Sequence, residues 1–250
     1  MTTPSEAITL PNRFFIPPIT SLIQSYYTSN GKEAQCNDIE GISIDKNMAN
    51  KSMLFGCSEG HMVVVEKMIS NGADWWNDGL QEACKGGHMA VVEKMIAHGA
   101  NKWNWGLEGA CSGGHMAVVE KMISNGADWL NDGLQEACKG GHMAVVEKMI
   151  ACGANNWNRG LRGACEGGHM ALVEKMIANG ACWWNCGLRG ACLEGHMAVI
   201  EKMIACGSTD WNGGLREACY GDHMAVVEKM IACGATDICC EEHRQFLTSK

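Results

Sequence analysis

The dipeptide His-Met recurs seven times in this chain, each time 27 residues after the last. Its histidines are His61, His88, His115, His142, His169, His196 and His223. A fixed period of this length is typical of stacked-repeat proteins, in which each unit packs only on its neighbours. The period therefore predicts a solenoid rather than an ordinary globular domain.

The unit boundaries follow from an asparagine that occupies the same place in all seven copies: Asn50, Asn77, Asn104, Asn131, Asn158, Asn185 and Asn212. The predicted repeat array spans residues 50–238, with units starting at 50, 77, 104, 131, 158, 185 and 212. Each unit shows the apolar spacing of a helix twice, and a glycine follows each helix. The sequence therefore predicts an all-α helix-turn-helix solenoid.

Each predicted helix has about 8–10 residues, fewer than the ~12–15 that make an isolated helix marginally stable in water. A unit can therefore fold only by stacking, which buries its apolar face against the next unit. In the unit that starts at 77, we expect Leu80, Cys84, Val92 and Ile96 to form this core.

A family resemblance rests on the segment ACKGGHMAVVEKMIAHGAN, which starts at Ala83. It resembles the ankyrin repeat, with its A-A-x-x-G-H-x-x-V-V pattern, and the resemblance covers both helices of every unit. The ankyrin period is 33 residues, and the missing residues fall between Asn77 and Leu80, where the family has its β-hairpin. The resemblance therefore implies an ankyrin-like stack that lacks most of the hairpin.

The two ends of the chain differ in composition from the array. Residues 1–49 contain several aromatic residues and all four prolines, and residues 239–250 contain Phe246 and Leu247 among charged residues. The end units of a solenoid need covers for their open faces. We therefore expect helical caps near 18–28 and 240–248.

The expected location of the protein is cytoplasmic. Residues 1–23 lack a basic region followed by an apolar run, so no secretory signal is predicted. The fifteen cysteines are then expected to be reduced thiols. The near-identical truncated units, with Trp-Asn-x-Gly-Leu and Ala-Cys, also resemble ankyrin arrays from multigene families of large DNA viruses that infect amoebae. That resemblance implies a viral protein in the host cytoplasm.

Cysteine and histidine recur four residues apart in every unit, as in Cys84 and His88, and both residue types can bind zinc. We favour core packing instead, because the cysteine takes the place of a core alanine in the family pattern and free thiols are readily buried. We therefore expect no metal and no cofactor. A denser C-terminal set leaves a metal or redox role open: Cys152, Cys182, Cys186, Cys206, Cys233, Cys239, Cys240 and His243.

Tryptophan precedes the boundary asparagine in five units, whereas Leu130 and Ile238 take that place in two others. The position therefore needs apolar bulk, which we interpret as cover for core exposed by the absent hairpin. Four further tryptophans are predicted to be more exposed, as is typical of binding hot spots: Trp75, Trp105, Trp129 and Trp183.

First-helix positions vary between units, whereas Glu-Lys is fixed in every second helix. In the ankyrin family, the first helices line a concave groove that meets partners. The resemblance thus implies these partner-binding residues: Gln81, Glu82, Lys85, Gln135, Glu136, Lys139, Arg162, Arg189, Arg216 and Tyr220. The three arginines would form a basic row that suits carboxylates. Alternatively, they form a solvated row paired with Glu166, Glu194 and Glu217.

The sequence shows no catalytic constellation, because its repeated histidines and cysteines are spread along the stack. The formal net charge of −8 argues against a nucleic-acid partner, which would require a basic face. No stretch approaches the ~20 apolar residues that span a bilayer. We therefore predict a noncatalytic scaffold for a protein partner, without nucleic acid or membrane. A structural element of a viral particle or other assembly is the alternative, and a metal or redox protein is a third.

Overall fold

The computed structural model describes residues 44–237, which form 14 helices and no strand. The first helices of the seven units are α1 (Lys46–Ser58), α3 (Trp76–Gly86), α5 (Trp103–Gly113), α7 (Leu130–Gly140), α9 (Trp157–Glu166), α11 (Trp184–Leu193) and α13 (Trp211–Tyr220). The second helices are α2 (Met62–Ser70), α4 (Met89–Ala97), α6 (Met116–Ser124), α8 (Met143–Ala151), α10 (Met170–Ala178), α12 (Met197–Ala205) and α14 (Met224–Ala232). Consecutive pairs pack side by side, so the predicted helical solenoid is confirmed.

The predicted end caps near 18–28 and 240–248 lie outside the described residues. Helix α1 begins at Lys46, so its first turn belongs to the segment predicted as an N-terminal extension. In the described part of the chain, no helix is long and apolar enough to cross a membrane.

The connection between units is too short for a projecting hairpin. Residues 71–75 and 98–102 are the whole of two such connections. A glycine with a positive φ reverses the chain after each second helix, as Gly99 does at 101°. Glycine adopts this backbone conformation without the steric cost of a side chain. The array is therefore built from helices and tight loops alone.

Sulfur-containing side chains fill much of the core. Leu80, Cys84 and Val92 are fully buried, as predicted. Ile96 was wrongly placed in the core: it is only partly buried, and Met95 beside it is fully buried. The reason is the glycine at position 79, since a β-carbon there would lie 2.7 Å from the Met95 sulfur. The absence of a side chain at that glycine makes room for the methionine.

Glycine also sets how closely neighbouring first helices approach. A β-carbon at Gly109 of α5 would lie 2.6 Å from the carbonyl oxygen of Gln81 on α3, and one at Gly113 would also lie under 3.0 Å from a carbonyl of α3. Gly163 of α9 and Gly167, which directly follows that helix, meet the backbone of α7 in the same way. These two Gly-x-x-x-Gly pairs bring the helices into backbone contact along their length, because residues four apart share one helix face.

The second helices are linked by longer side chains. In five pairs of adjacent units, a lysine of the later unit forms an ion pair with a glutamate of the earlier one. For example, Lys94 Nζ lies 2.8 Å from Glu66 Oε1. The other pairs are Lys148–Glu120, Lys175–Glu147, Lys202–Glu174 and Lys229–Glu201. The fixed Glu-Lys dipeptide thus pairs between units rather than within one.

Candidate binding surface of the first helices

The boundary asparagine joins each unit to the loop that leads into the next one. Asn77 Oδ1 accepts hydrogen bonds from the backbone N–H groups of Asn101 at 2.8 Å and Lys102 at 2.9 Å. The same two bonds occur in all seven units. Sequence reasoning used this residue only to mark a boundary. Its structural role is to hold the start of the following first helix in place.

The repeated histidine connects each unit to the one before it. His88 Nε2 lies 3.0 Å from the carbonyl oxygen of Ser58 near the end of α1. His142, His169 and His196 make the equivalent contact. A carbonyl oxygen can only accept, so Nε2 carries the hydrogen. The ring also covers Gly60, where a β-carbon would lie 2.7 Å from the ring's Cγ atom. This contact explains why glycine precedes most of the histidines.

The repeated cysteine is a core residue. Burial raises the pKa of the Cys84 thiol to about 12. The thiols of Cys57, Cys111, Cys138, Cys165 and Cys192 are shifted to about the same value, with burial the largest cause. Metal ligands and nucleophiles are thiolates, and these groups are protonated at neutral pH. Within 44–237, no three residues among His, Cys, Asp and Glu are grouped to hold a metal ion.

The C-terminal cysteines divide into two sets. Cys152 and Cys182 are exposed, and Cys186, Cys206 and Cys233 are partly exposed. Cys239, Cys240 and His243 lie outside the described residues. The metal or redox hypothesis for this region therefore gains no support from the described cysteines.

All ten predicted partner-binding residues lie on first helices, namely α3, α7, α9, α11 and α13. Six of them are exposed: Lys85, Lys139, Arg162, Arg189, Arg216 and Tyr220. The other four are partly exposed: Gln81, Glu82, Gln135 and Glu136. The helical stack thus brings together, on one side, residues that are 27 apart in sequence.

The three arginines of the predicted basic row are not equivalent. Arg162 Nε donates to Glu166 Oε1 at 2.7 Å, and this hydrogen bond raises the pKa of Arg162. Arg189 makes no ion pair or hydrogen bond with another side chain in the described range. Arg216 Nη1 lies 3.9 Å from Asp237 Oδ2. The alternative of a row neutralised by glutamates therefore holds for one arginine of the three.

Two carboxylates that approach each other were partly missed by sequence reasoning. Partial burial raises the pKa of Glu108, and repulsion from Glu136 and Asp132 raises it further. The pKa of Glu136 is also raised, mainly by burial. Glu136 was among the predicted partner-binding residues, whereas Glu108 was not. The sequence does not give the distance between neighbouring first helices, and that distance determines whether these two carboxylates repel each other.

Tryptophans form an edge beside this surface, where the units lack hairpins. Trp183 is 52% exposed, and Trp75, Trp105 and Trp129 are also exposed, as predicted. A cleft of about 410 Å³ is lined by Trp103, Trp105 and Trp129 together with loop residues. Trp103 and its equivalents pack against the core, in agreement with the expected cover.

The sequence matches no protein-family model. It also matches no curated protein. Among solved structures, the chain is similar to the ankyrin repeat domain of human ASB11, with 22% identity over 74% of this chain and 98% of that domain. The TM-score of the two structures is 0.46.

Proposed function

We propose that the chain is a noncatalytic scaffold that binds a protein partner through the concave surface of its first helices. One observation supports this most: the bonds between units repeat along the stack, whereas the exposed first-helix residues differ. The position that is Gln81 in one unit is Arg162 in another, although the asparagine bonds are the same in both. A uniform frame that presents a varied surface suits recognition of a specific partner.

The direction of curvature is inferred from the two kinds of contact between units. First helices meet through glycine at backbone distance, as at Gly109. Second helices are bridged by lysine and glutamate side chains, as in Lys148–Glu120. Closer spacing on one side bends a stack toward that side, so the first helices line its inner face. Such a surface can surround an extended or convex partner.

The repeated cysteines and four of the repeated histidines already have structural roles. The repeated thiols are buried and protonated at neutral pH, as Cys84 shows. Four of the repeated histidines hold a backbone carbonyl of the neighbouring unit, as His88 does. A general base must instead face a substrate within hydrogen-bond distance. This arrangement supports a binding role rather than catalysis.

A structural role in a viral particle or another assembly is the second candidate. The observation that favours it is the near-uniformity of the units, whose contacts repeat without interruption from Asn50 to Asn212. A uniform stack can serve as a spacer of defined length. Such a role predicts a fixed amount of the chain in purified particles, which quantitative mass spectrometry would measure.

The binding proposal is tested by reversing the charge of Arg162, Arg189 and Arg216 together. We expect capture of partner proteins from extracts of the native cell to fall by about tenfold or more, the effect of losing a hot spot. The control reverses the charge at Lys67, Lys121 and Lys229, which lie on second helices and so outside the proposed surface. Melting curves by circular dichroism verify that both variants fold. Equal capture by the two folded variants would contradict the surface assignment.

A further inference from the structure

The last two units carry apolar side chains where the earlier units carry polar ones. The position after the core cysteine is Ser58, Lys85, Ser112, Lys139 and Glu166 in the first five units, then Leu193 and Tyr220. Tyr220 is 86% exposed, and Leu193 is partly exposed. Exposed apolar residues that are adjacent on a surface are typical of interaction sites. The change in residue type therefore distinguishes this end of the array.

An arginine lies one helical turn before each of these residues. Arg189 precedes Leu193 by four positions, and Arg216 precedes Tyr220 by four, so each pair shares a helix face. The equivalent pair in the preceding unit, Arg162 with Glu166, is in contact at 2.7 Å. The four side chains of α11 and α13 thus form one cluster, which we call the Arg-Tyr patch: Arg189, Leu193, Arg216 and Tyr220.

Neighbouring units are close enough for this cluster to be continuous. Lys139 Nζ lies 3.2 Å from Glu166 Oε2, which shows that side chains at the position after the cysteine meet between adjacent units. Leu193 and Tyr220 occupy that same position in the last two units. The glycine after Tyr220 also packs on the carbonyl oxygen of Leu193. The two apolar residues therefore lie side by side on the surface.

The charge of the patch is not neutralised as it is one unit earlier. Glu166 takes up Arg162 and Lys139, and its side chain is only 11% exposed. At the patch, the position of Glu166 is taken by leucine and tyrosine. Glu217 is next to Arg216 in the sequence, but within 44–237 it forms no ion pair with either arginine of the patch. Arg189 has no ion pair within 44–237, and Arg216 has only the long contact to Asp237. Both guanidinium groups remain available to carboxylates outside the array.

We propose that the Arg-Tyr patch binds an acidic protein segment that carries an apolar or aromatic anchor. The carboxylates of the segment pair with Arg189 and Arg216, and its anchor packs on Leu193 and Tyr220. Arginine and tyrosine are the residues most enriched at hot spots. The net charge of −8 does not prevent this, because salt at physiological strength screens exposed charges beyond about 8 Å. This proposal rests on the proposed binding function and names the partner's chemistry.

The test measures fluorescence anisotropy of three labelled peptides with the full chain. The first peptide is Glu-Asp-Glu-Phe-Leu-Glu-Asp-Glu. The second has Ser-Ser in place of Phe-Leu, and the third has lysine in place of every acidic residue. We expect the first to bind about tenfold more tightly than either of the others, the effect of one hot-spot contact. Binding of the first should weaken as salt is added.

Two substitutions locate the binding site. Arg189→Glu and Tyr220→Ser should each weaken binding of the first peptide by about tenfold. Lys51→Glu makes the same charge change on α1, and Val63→Ser removes another exposed apolar side chain, so both serve as matched controls. We expect these controls to bind as the unchanged protein does. Equal weakening by Arg189→Glu and Lys51→Glu would overturn the proposal.

Other results separate this proposal from the general binding function. Equal binding of the acidic and lysine peptides would overturn the partner chemistry. A lower melting temperature of Arg189→Glu with unchanged peptide binding would also overturn it, because Arg189 would then stabilise the fold rather than bind the peptide. In both cases, capture of a partner that depends on the remaining first-helix residues would leave the proposed function intact. If partner capture did not depend on any first-helix residue, the proposed function itself would be contradicted.

Discussion

At the scale of single residues, the repeated side chains hold units together rather than perform chemistry. Asn77 accepts a hydrogen bond from the backbone of a loop 24 residues later in the sequence, and His88 donates one to a backbone carbonyl 30 residues earlier. Cys84 is buried between units. The sequence shows that these residues recur, but not which distant backbone atom each one reaches. Packing was the favoured interpretation for the cysteine, and its burial confirms that interpretation.

The six buried thiols whose pKa is raised predict a loss of stability at alkaline pH. An unfolded thiol ionises near its ordinary pKa of 9.0, whereas burial raises the pKa of Cys138 in the folded chain to about 12. Because the folded state keeps a proton that the unfolded state releases, stability is complete below pH 9. It then falls between pH 9 and about 12, by about 1.4 kcal/mol per pH unit for each thiol. Urea unfolding between pH 8 and 11 measures this slope.

A single substitution isolates the contribution of one thiol. Cys138→Ala should reduce the slope between pH 9 and 11 by about 1.4 kcal/mol per pH unit. Cys152→Ala, at an exposed cysteine, controls for the substitution itself. If Cys138→Ala and the unchanged protein lost stability with the same slope, the buried-thiol explanation would be wrong.

At the scale of helices, glycine determines how closely adjacent units pack. The sequence indicates that Gly86 and Gly87 end a helix, and Gly87 has the expected φ of 76°. Gly109 and Gly163 have a different role that periodicity does not reveal, because both lie inside a helix and face a neighbouring backbone. Sequence patterns describe one helix at a time, whereas this role depends on the distance between two helices.

The equivalent glycines of two units give a matched pair of substitutions. Gly163→Ala would place a methyl group against the carbonyl of Gln135, so we expect the free energy of unfolding to fall by about 1–3 kcal/mol, as for other overpacked sites. A β-carbon at Gly190 would lie 2.8 Å from the side-chain Cγ atom of Glu166 rather than against backbone, and a side chain can shift more easily than backbone. Alanine is a better helix former than glycine by about 1 kcal/mol. Gly190→Ala should therefore cost clearly less than Gly163→Ala, because the gain in helix propensity offsets part of the cost of shifting Glu166.

Urea unfolding of the two alanine variants decides between local and inter-unit effects. A similar change in unfolding free energy at Gly163 and Gly190 would show that helix propensity alone governs both positions. A clearly larger loss at Gly163 than at Gly190 would show that close approach of α7 and α9 stabilises the array.

At the scale of the whole molecule, stability is shared among identical contacts between neighbours. Each unit contributes one asparagine that bonds the following loop and one buried methionine on its second helix, as at Asn131 and Met149. In such an array, removing a complete unit restores the same contacts between the units on either side. Removing part of a unit leaves a helix without its pair.

Deletion of one unit tests this additive architecture. Removal of residues 131–157 joins Leu130 to Asn158, so that Leu130 takes the place of Trp157 at the start of α9. We expect a folded array with a proportionally smaller helical signal. Removal of residues 131–144 eliminates all of α7 except Leu130, together with the first two residues of α8. The rest of α8 is left without its first helix, so we expect aggregation or loss of cooperative unfolding. Circular dichroism and size-exclusion chromatography distinguish these outcomes, and equal behaviour of the two deletions would contradict the architecture.

The sequence by itself determined the 27-residue period, the two short helices of each unit, and the position of the ten candidate residues on first helices. Those features follow from local spacing, because a helix face is fixed by residues three and four apart. Only the tertiary structure decided that Met95 rather than Ile96 is fully buried, and that Glu166 neutralises Arg162 while Arg189 forms no ion pair within residues 44–237. Those outcomes depend on how far apart neighbouring units lie, and that distance is set by contacts between helices rather than within them.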